Sequence, residues 1–293
     1  HYSCPVKQFG AHYQDNILNF YNRETNSIPI QTKRGCSFNC IYCTYPMLEG
    51  HRVRTRDPEE VVSEIITLHK RFPNAMLYFV DAVFNDPGKQ YLELLELMLR
   101  RNAVVPWNAF ITPEKLEEEE IKLMAAAGMT AVDLGLDAST DATLAGIGKN
   151  FTFREIPNIC RMMLKLDVEV TSSVMFGGPG ETEETTMAGI SNLRSLEPAY
   201  SIIFSGIRIL TGAPLLELAK KQGIVPSDWD GIRKLFYYAP GLSPDWLDHT
   251  LKSGFAGSKY CIYPPGSRNE QLRKIHRFGY VKLKRLQFMK GSS

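Results

Sequence analysis

The sequence predicts an α/β fold: an open, partial (β/α)6 barrel of parallel strands with a C-terminal cap. Three observations lead there. Short apolar runs alternate with helix-patterned stretches about six times between residues 28 and 210, and such alternation implies parallel strands joined by right-handed helical crossovers. Six units are fewer than the eight of a closed barrel. From about Thr211 the pattern gives way to proline and aromatic residues, among them Trp229, Tyr237, Pro244, Trp246 and Tyr263-Pro264-Pro265. The chain divides accordingly into a lead-in (1–27), the partial barrel (28–210), and a cap with a basic tail (211–293).

Each element follows from its residues. The lead-in is aromatic and polar without a clear period, and Tyr13, Phe20 and Tyr21 are its expected anchors. The first strand is Ile28 to Thr32. Asp57-Pro58-Glu59-Glu60 opens a helix: aspartate caps it, proline suits its first position, and Glu60 stands where a capping box needs it. Val61, Ile65 and Leu68 mark the buried face of that helix. Met76 to Val80, ending at Asp81, is a continuous apolar run, as a strand covered on both sides requires. A second helix spans Pro87 to Arg101, with Leu92, Leu95 and Leu99 on one side. Val105 to Ile111 is the third strand. Thr112-Pro113-Glu114 is expected to cap a third helix that stops at Gly128. Thr130–Leu136, Val168–Phe176 and Tyr200–Ile209 complete the six strands, with helices around Ile156–Leu166, up to Ser195, and at Pro214–Gln222.

Composition narrows the functional classes. The 293 residues are 44% hydrophobic, with 34 basic against 32 acidic residues and a net charge of +2. That argues against a nucleic-acid or membrane-surface protein as a whole. The tail is more basic (Arg268, Arg273, Lys274, Arg277, Lys282, Lys284, Arg285, Lys290) and reads as a solvated surface. No apolar run is long enough to span a membrane, and the start, His1-Tyr2-Ser3-Cys4-Pro5, is not that of a signal peptide. It also lacks an initiator methionine, which reads as a processed or excised chain. Six cysteines, three of them close together and Cys4, Cys160 and Cys261 scattered, do not make a disulfide framework in a chain this long, so a reducing, cytoplasmic compartment is expected.

The chemistry concentrates in Arg34-Gly35-Cys36-Ser37-Phe38-Asn39-Cys40-Ile41-Tyr42-Cys43. A loop leaving a strand end can turn these three thiolates inward. Three thiolates can hold three irons of a cubane cluster, whereas such clusters normally take four cysteines; the fourth iron would be open to a small molecule. The other reading is a zinc knuckle with His51 as fourth ligand. The basic stretch His51-Arg52-Val53-Arg54-Thr55-Arg56 is either an exposed loop or an anion site. Gly177-Gly178-Pro179-Gly180-Glu181-Thr182 follows the fifth strand; its glycines allow close backbone approach, and the helix start behind it offers free N–H groups to a carboxylate or phosphate. In parallel sheets ligands bind at the carboxyl ends of the strands. The cysteine triplet, Asp81, Asp137 with Ser139, and the glycine turn all lie there.

The Cys-x3-Cys-x2-Cys spacing, the aromatic before the last cysteine and the place after a first strand resemble the radical SAM superfamily. Together with Arg54-x-Arg56-x-Pro58-Glu59 and Phe176-Gly177-Gly178-Pro179-Gly180-Glu181-Thr182, residues 25–250 resemble the catalytic core of its cobalamin-dependent members. The resemblance implies that Cys36, Cys40 and Cys43 ligate a 4Fe-4S cluster and that S-adenosylmethionine binds its open iron. It places Phe38, Tyr42, Asp81, Asp137, Ser139, Gly177, Gly178, Gly180 and Glu181 around that cofactor: Tyr42 near the adenine, Asp81 accepting from the ammonium, Ser139 meeting the carboxylate. Asp137 stands where many relatives carry glutamate. The implied activity is reductive cleavage of S-adenosylmethionine to a 5′-deoxyadenosyl radical, which abstracts hydrogen from a small or mid-sized organic substrate for methylation, cyclisation or rearrangement. A flavodoxin or ferredoxin would supply the electron. Relatives carry an N-terminal cobalamin module with Asp-x-His-x-x-Gly, a motif absent from this sequence, so cobalamin is expected only if a module is missing from the chain. Cys261 is either a hydrogen donor from the cap or a structural thiol. The contrasting readings are a zinc-bound RNA-binding module and a radical SAM scaffold without activity.

Overall fold

The computed structural model describes residues 11–265, with only the backbone of residues 11–14. Cys4 and the basic tail from Arg268 onward lie outside the described residues.

Helix α1 (Ala11–Thr25) precedes β1 (Ser27–Ile30), so the lead-in is helical where the sequence showed no period. Its anchor differs too: Leu18 packs on the core, while Phe20 is exposed. A short ribbon strand β2 (Lys33–Arg34) follows, then α2 (Tyr45–Glu49) and the second ribbon strand β3 (Arg54–Thr55). Next come α3 (Pro58–Arg71), β4 (Met76–Phe79), α4 (Gln90–Arg100) and β5 (Trp107–Ile111). The chain continues through α5 (Glu118–Ala126), β6 (Met129–Asp137), α6 (Asp141–Gly146), a 3-10 turn at Phe153–Glu155, α7 (Ile156–Lys165), β7 (Glu169–Phe176) and α8 (Glu183–Ser195). It ends with β8 (Tyr200–Ser205), β9 (Ile207–Arg208), α9 (Pro214–Lys221), β10 (Phe236–Tyr237), α10 (Pro244–Gly254) and β11 (Cys261–Ile262).

The main sheet has seven strands in the order β1-β4-β5-β6-β7-β8-β11, and each neighbouring pair is parallel. The spatial order is the sequence order. A parallel sheet wound in one direction by right-handed crossovers puts its helices on one face and curls the other face inward. The result is an open barrel with one more strand than expected. The seventh, β11, comes from the segment assigned to the cap: Cys261 and Ile262 pair with Ser201 and Ile202. Two residues between turns carry no strand signal that a sequence reading can detect.

Helix packing follows the apolar pattern with two corrections. Val61, Val62, Ile65 and Leu68 are buried on α3 as expected, and Asp57 accepts from the N–H groups of Glu59 and Glu60. On α4 the buried set is Tyr91, Leu94, Leu95, Leu97 and Met98, whereas Leu99 is exposed. The helix is so rich in leucine that two faces fit the spacing, and the rings of Phe84 and Tyr91 decide between them, 5.6 Å apart. Thr112 does not cap α5. Its backbone is claimed by Asn85, whose side chain accepts from Thr112 N (2.8 Å) and donates to Thr112 O (2.7 Å). Glu117 caps the helix instead, in a capping box with Glu120.

Two loops at the carboxyl end of the sheet are locked together. A Cβ added to Gly146, the last residue of α6, would lie 1.9 Å from the carbonyl oxygen of Pro179 in the turn after β7, and one on Gly180 2.8 Å from Ala142 O. No helix of the described residues is long and apolar enough to cross a membrane. The interlock predicts that Gly146→Ala destabilises the protein by roughly 1–3 kcal/mol, as overpacking against rigid backbone does; chemical denaturation measures it, and an unchanged midpoint would show that the two loops yield freely.

Candidate active site

The cysteine loop is closed by backbone and arginine contacts. β2 and β3 pair antiparallel, Lys33 with Thr55 and Arg34 with Arg54. Gly35 turns the chain with φ 93°, and a side chain there would strike Arg52 O at 2.2 Å. Cys36 N donates to Gly50 O (3.1 Å). Arg54 donates to Glu49 O (2.9 Å) and Arg52 O (3.0 Å), and Arg56 to Gln31 O (2.9 Å), with an ion pair to Glu64 (2.6 Å). Arg54 and Arg56 thus direct their donors to the loop's own carbonyls and to Glu64, and neither lines the cavity described below. The far side of the loop rests on the segment after α6: Ile41 N donates to Ile147 O, and Gly148, at φ 82°, lets Asn39 O approach to 2.8 Å from where a Cβ would be.

Cys36, Cys40 and Cys43 line one cavity of about 340 Å³ at the carboxyl end of the sheet, with Phe38, Tyr42, Asp81 and Asp137. All three thiols are free. Burial raises the Cys36 thiol; the Phe38 N–H works against this, and the neighbouring Cys43 and Cys40 charges add to it. Cys43 is raised by burial too, opposed by the Tyr45 N–H, which donates to its sulfur (3.4 Å). The sulfurs thus sense one another across a shared space. Among the described residues, no three His, Cys, Asp or Glu side chains converge as a single-ion site requires. His51, the fourth ligand of the zinc reading, is exposed and is not among the cavity residues.

Sequence reasoning missed Lys149, which lines the same cavity. It pairs with Asp137, donates to Gly135 O (3.1 Å) and bonds Cys40. Burial opposes its charge, yet Asp137 and Cys40 outweigh burial and hold its pKa above the usual lysine range. Tyr42 donates to the same Asp137; burial, then that carboxylate, push its hydroxyl well up. Asp137 takes a left-handed φ of 62°, where the β6–β7 register shifts. The available signal for Lys149 was Gly146-Ile147-Gly148-Lys149, a glycine loop after a helix, too common alone to mark a site.

Of the other expected residues, Asp81 lines the cavity as well and the rest lie outside it. Asp81 is 1% exposed and its carboxylate accepts from Thr32 N, Thr32 Oγ1 and Lys33 N; it fastens β1 to β4. The glycine turn does not line the cavity. Glu181 is buried and accepts from Gly177 N (3.2 Å), Thr185 Oγ1 (2.8 Å) and Thr186 Oγ1 (3.3 Å), while Thr182 caps α8 in a capping box with Thr185. Gly178 abuts Ile207, and Gly177 abuts Tyr238 and Leu247. Ser139 is buried against Gly189 of α8. Cys261 is registered with Ser201 near the start of β8, away from the cavity, and burial pushes its thiol up to about 11. Cys160 is buried on α7.

Against known proteins, the chain is 26% identical over 243 residues to the tryptophan 2-C-methyltransferase of Streptomyces laurentii (78% of this chain, 39% of that protein). It is 26% identical over 172 residues to an uncharacterised methyltransferase of Pyrococcus horikoshii (59% and 38%). It is 24% identical over 218 residues to the anaerobic magnesium-protoporphyrin IX monomethyl ester cyclase of Rubrivivax gelatinosus (73% and 38%). The chain thus spans about two fifths of the length of these relatives. The fold matches that of the radical S-adenosylmethionine methyltransferase TsrM from Kitasatospora setae, which was solved with cobalamin and a [4Fe-4S] cluster bound (TM-score 0.79, 21% identity, 94% of this chain and 61% of that one). The profile of the radical SAM superfamily matches residues 30–188, from the first strand through the cysteine loop into α8. That match covers more than half of the sequence, and the chain belongs to the radical SAM superfamily, whose enzymes work with a 4Fe-4S cluster and S-adenosylmethionine.

Proposed function

We propose that this chain is the catalytic core of a radical enzyme in which Cys36, Cys40 and Cys43 hold the cluster and the cavity beside them takes S-adenosylmethionine and an organic substrate. The observation that carries this reading is the turn of three free thiols of one loop toward one cavity beside the Lys149–Asp137 pair. The donor set fits the cluster. Each thiolate would bind a different iron, so the sulfurs need not converge, and a soft metal would take up the anions that burial and mutual repulsion disfavour. N–H groups of Phe38 and Tyr45 aimed at sulfur are of the kind that tune such centres.

When bound, cluster and S-adenosylmethionine supply one-electron cleavage to methionine and a 5′-deoxyadenosyl radical, which takes a hydrogen atom from the substrate. The chain's part is placement. Lys149 offsets negative charge beside Cys40, holds Asp137, and is placed to meet an anionic group entering the cavity. Tyr42, on the same carboxylate, fixes the wall next to it, and Phe38, Tyr45 and Phe110 exclude water. A small one-electron carrier of the flavodoxin or ferredoxin kind would reduce the cluster. The named relatives include methyltransferases and a cyclase, which supports methylation or ring closure on an organic substrate. A cobalamin would have to be brought by a module outside the described residues.

Anaerobic reconstitution with iron and sulfide, then reductant and S-adenosylmethionine, gives 5′-deoxyadenosine, and Cys40→Ala abolishes it. A protein that retains zinc and forms none refutes the reading. Lys149→Met leaves Asp137 without its cation in a largely buried place; stability falls by roughly 1–3 kcal/mol, less than for a fully buried pair. Affinity for S-adenosylmethionine falls about tenfold or more by equilibrium binding, and adding Asp137→Asn restores the stability but not the affinity.

A further inference from the structure

The inner face of the barrel carries a carboxyl that no neighbour explains. Asp133 is 6% exposed and lines the cavity. Its Oδ2 has no hydrogen-bond partner among the described residues. Side chains alternate along a strand, so Asp133 and Gly135 of β6 share one face, and Asp137, beyond the register shift, lines the same cavity. Asp137 is tied to Lys149. Asp133, four residues earlier, is reached past Gly135, where no side chain obstructs. Buried polar atoms are otherwise nearly always satisfied, and leaving one bare costs about 1–3 kcal/mol. An acid held at a cavity wall with one oxygen unpaired is available to a partner from outside.

The surroundings state what that partner is. Across the strands Asp133 faces Phe110 on one side and Thr171 on the other. Phe110 and Tyr78, which are tilted against each other with centroids 6.1 Å apart, wall the same cavity. Burial alone pushes the Asp133 carboxyl well above the ordinary range, and Lys149, the one cation among the described cavity residues, is paired with Asp137 and Cys40. A neutral carboxyl presents a donor and an acceptor side by side. Its complement is an edge with an N–H beside a carbonyl or ring nitrogen, carried on a flat ring that can stack against this aromatic wall.

We infer that Asp133 is the substrate-anchoring residue of this cavity and that the substrate is a flat, neutral, unsaturated ring with a lactam-type N–H/acceptor edge. This rests on the reading of the cavity as the place where an organic substrate binds, and it adds the substrate's class. The role is anchoring: Asp133 holds the ring in register with the cofactor side of the cavity and reads one edge of it.

The test is binding, measured by calorimetry on the full chain with and without the cluster, using 2-quinolone, N-methyl-2-quinolone and the cation benzamidine as probes. The wild type binds 2-quinolone about tenfold or more tightly than its N-methyl twin, the contribution of one well-formed buried hydrogen bond. Asp133→Leu abolishes that preference, while Asp133→Asn, which keeps the shape and a donor–acceptor pair, retains part of it. Thr171→Val, which alters a neighbour that does not line the cavity, leaves it intact. Thermal denaturation confirms that the variants are folded, since removing an unpaired buried carboxyl does not cost stability. Equal binding of the two quinolones, binding of neither, a preference that survives in Asp133→Leu, or preferential binding of benzamidine each overturns the inference. Failure of the functional reading shows separately, as a chain that forms no 5′-deoxyadenosine whatever the quinolones do.

Discussion

The site hangs on a single buried carboxylate. Asp81, just beyond β4, accepts from the backbone N–H groups of Thr32 (2.8 Å) and Lys33 (3.1 Å) and from the Thr32 hydroxyl. These two residues are the exit of β1 and the entry of the β2–β3 ribbon. Burial pushes the Asp81 carboxyl up, against the pull of Lys33 and these donors. Lys33 is buried too; its ammonium pairs with Asp86 and reaches Phe84 O, which draws in the loop after β4. The cysteine loop therefore leaves the sheet from a point fixed on two strands. Losing one side of such an arrangement strands a charge in the interior, which is far more costly than never having buried it.

Four carboxyls at this end of the sheet, three buried and Asp137 half-buried, illustrate how surroundings set role. Asp81 is saturated by donors and acts as a fastener. Glu181 accepts from Gly177, Thr185 and Thr186 and holds a turn. Asp137 shares a cation and a phenol and faces the cavity. Asp133 has an oxygen with no partner among the described residues. Residue type, depth and distance from the cysteines separate them poorly; the number and kind of donors around each separates them well.

The same contrast explains what the sequence could and could not disclose. Alternating strands and helices made the sheet order readable, because a singly wound parallel sheet leaves few arrangements. The cysteine loop was readable because its residues lie close along the chain. The glycine turn shows a limit of such reading. Gly177, Gly178 and Gly180 do allow close approach, but what approaches is Tyr238, Ile207 and Ala142, and a sequence does not distinguish a ligand from a neighbouring loop as the cause. Lys149 was missed because its partners, Cys40 and Asp137, are separated from it by whole elements. Asp133 reads as a polar residue in a largely apolar strand, and only its unpaired oxygen at the cavity wall distinguishes it. Helix α1 and strand β11 are held by tertiary contacts more than by their own pattern.

The late return of the chain to the sheet has a consequence for its synthesis. β9 pairs with β10, and β8 receives β11, so the outer edge of the last long strand is covered at Ser201 and Ile202 only when residues near 262 arrive. Until then β8 offers a row of unpaired backbone groups, the usual template for joining another chain. As the ribosome releases the protein, the vulnerable interval falls between the completion of β8 and the emergence of Cys261 and Ile262. Over that interval the nascent edge depends on chaperones or on speed, and a chain halted within it would be prone to aggregate however sound its cysteine loop.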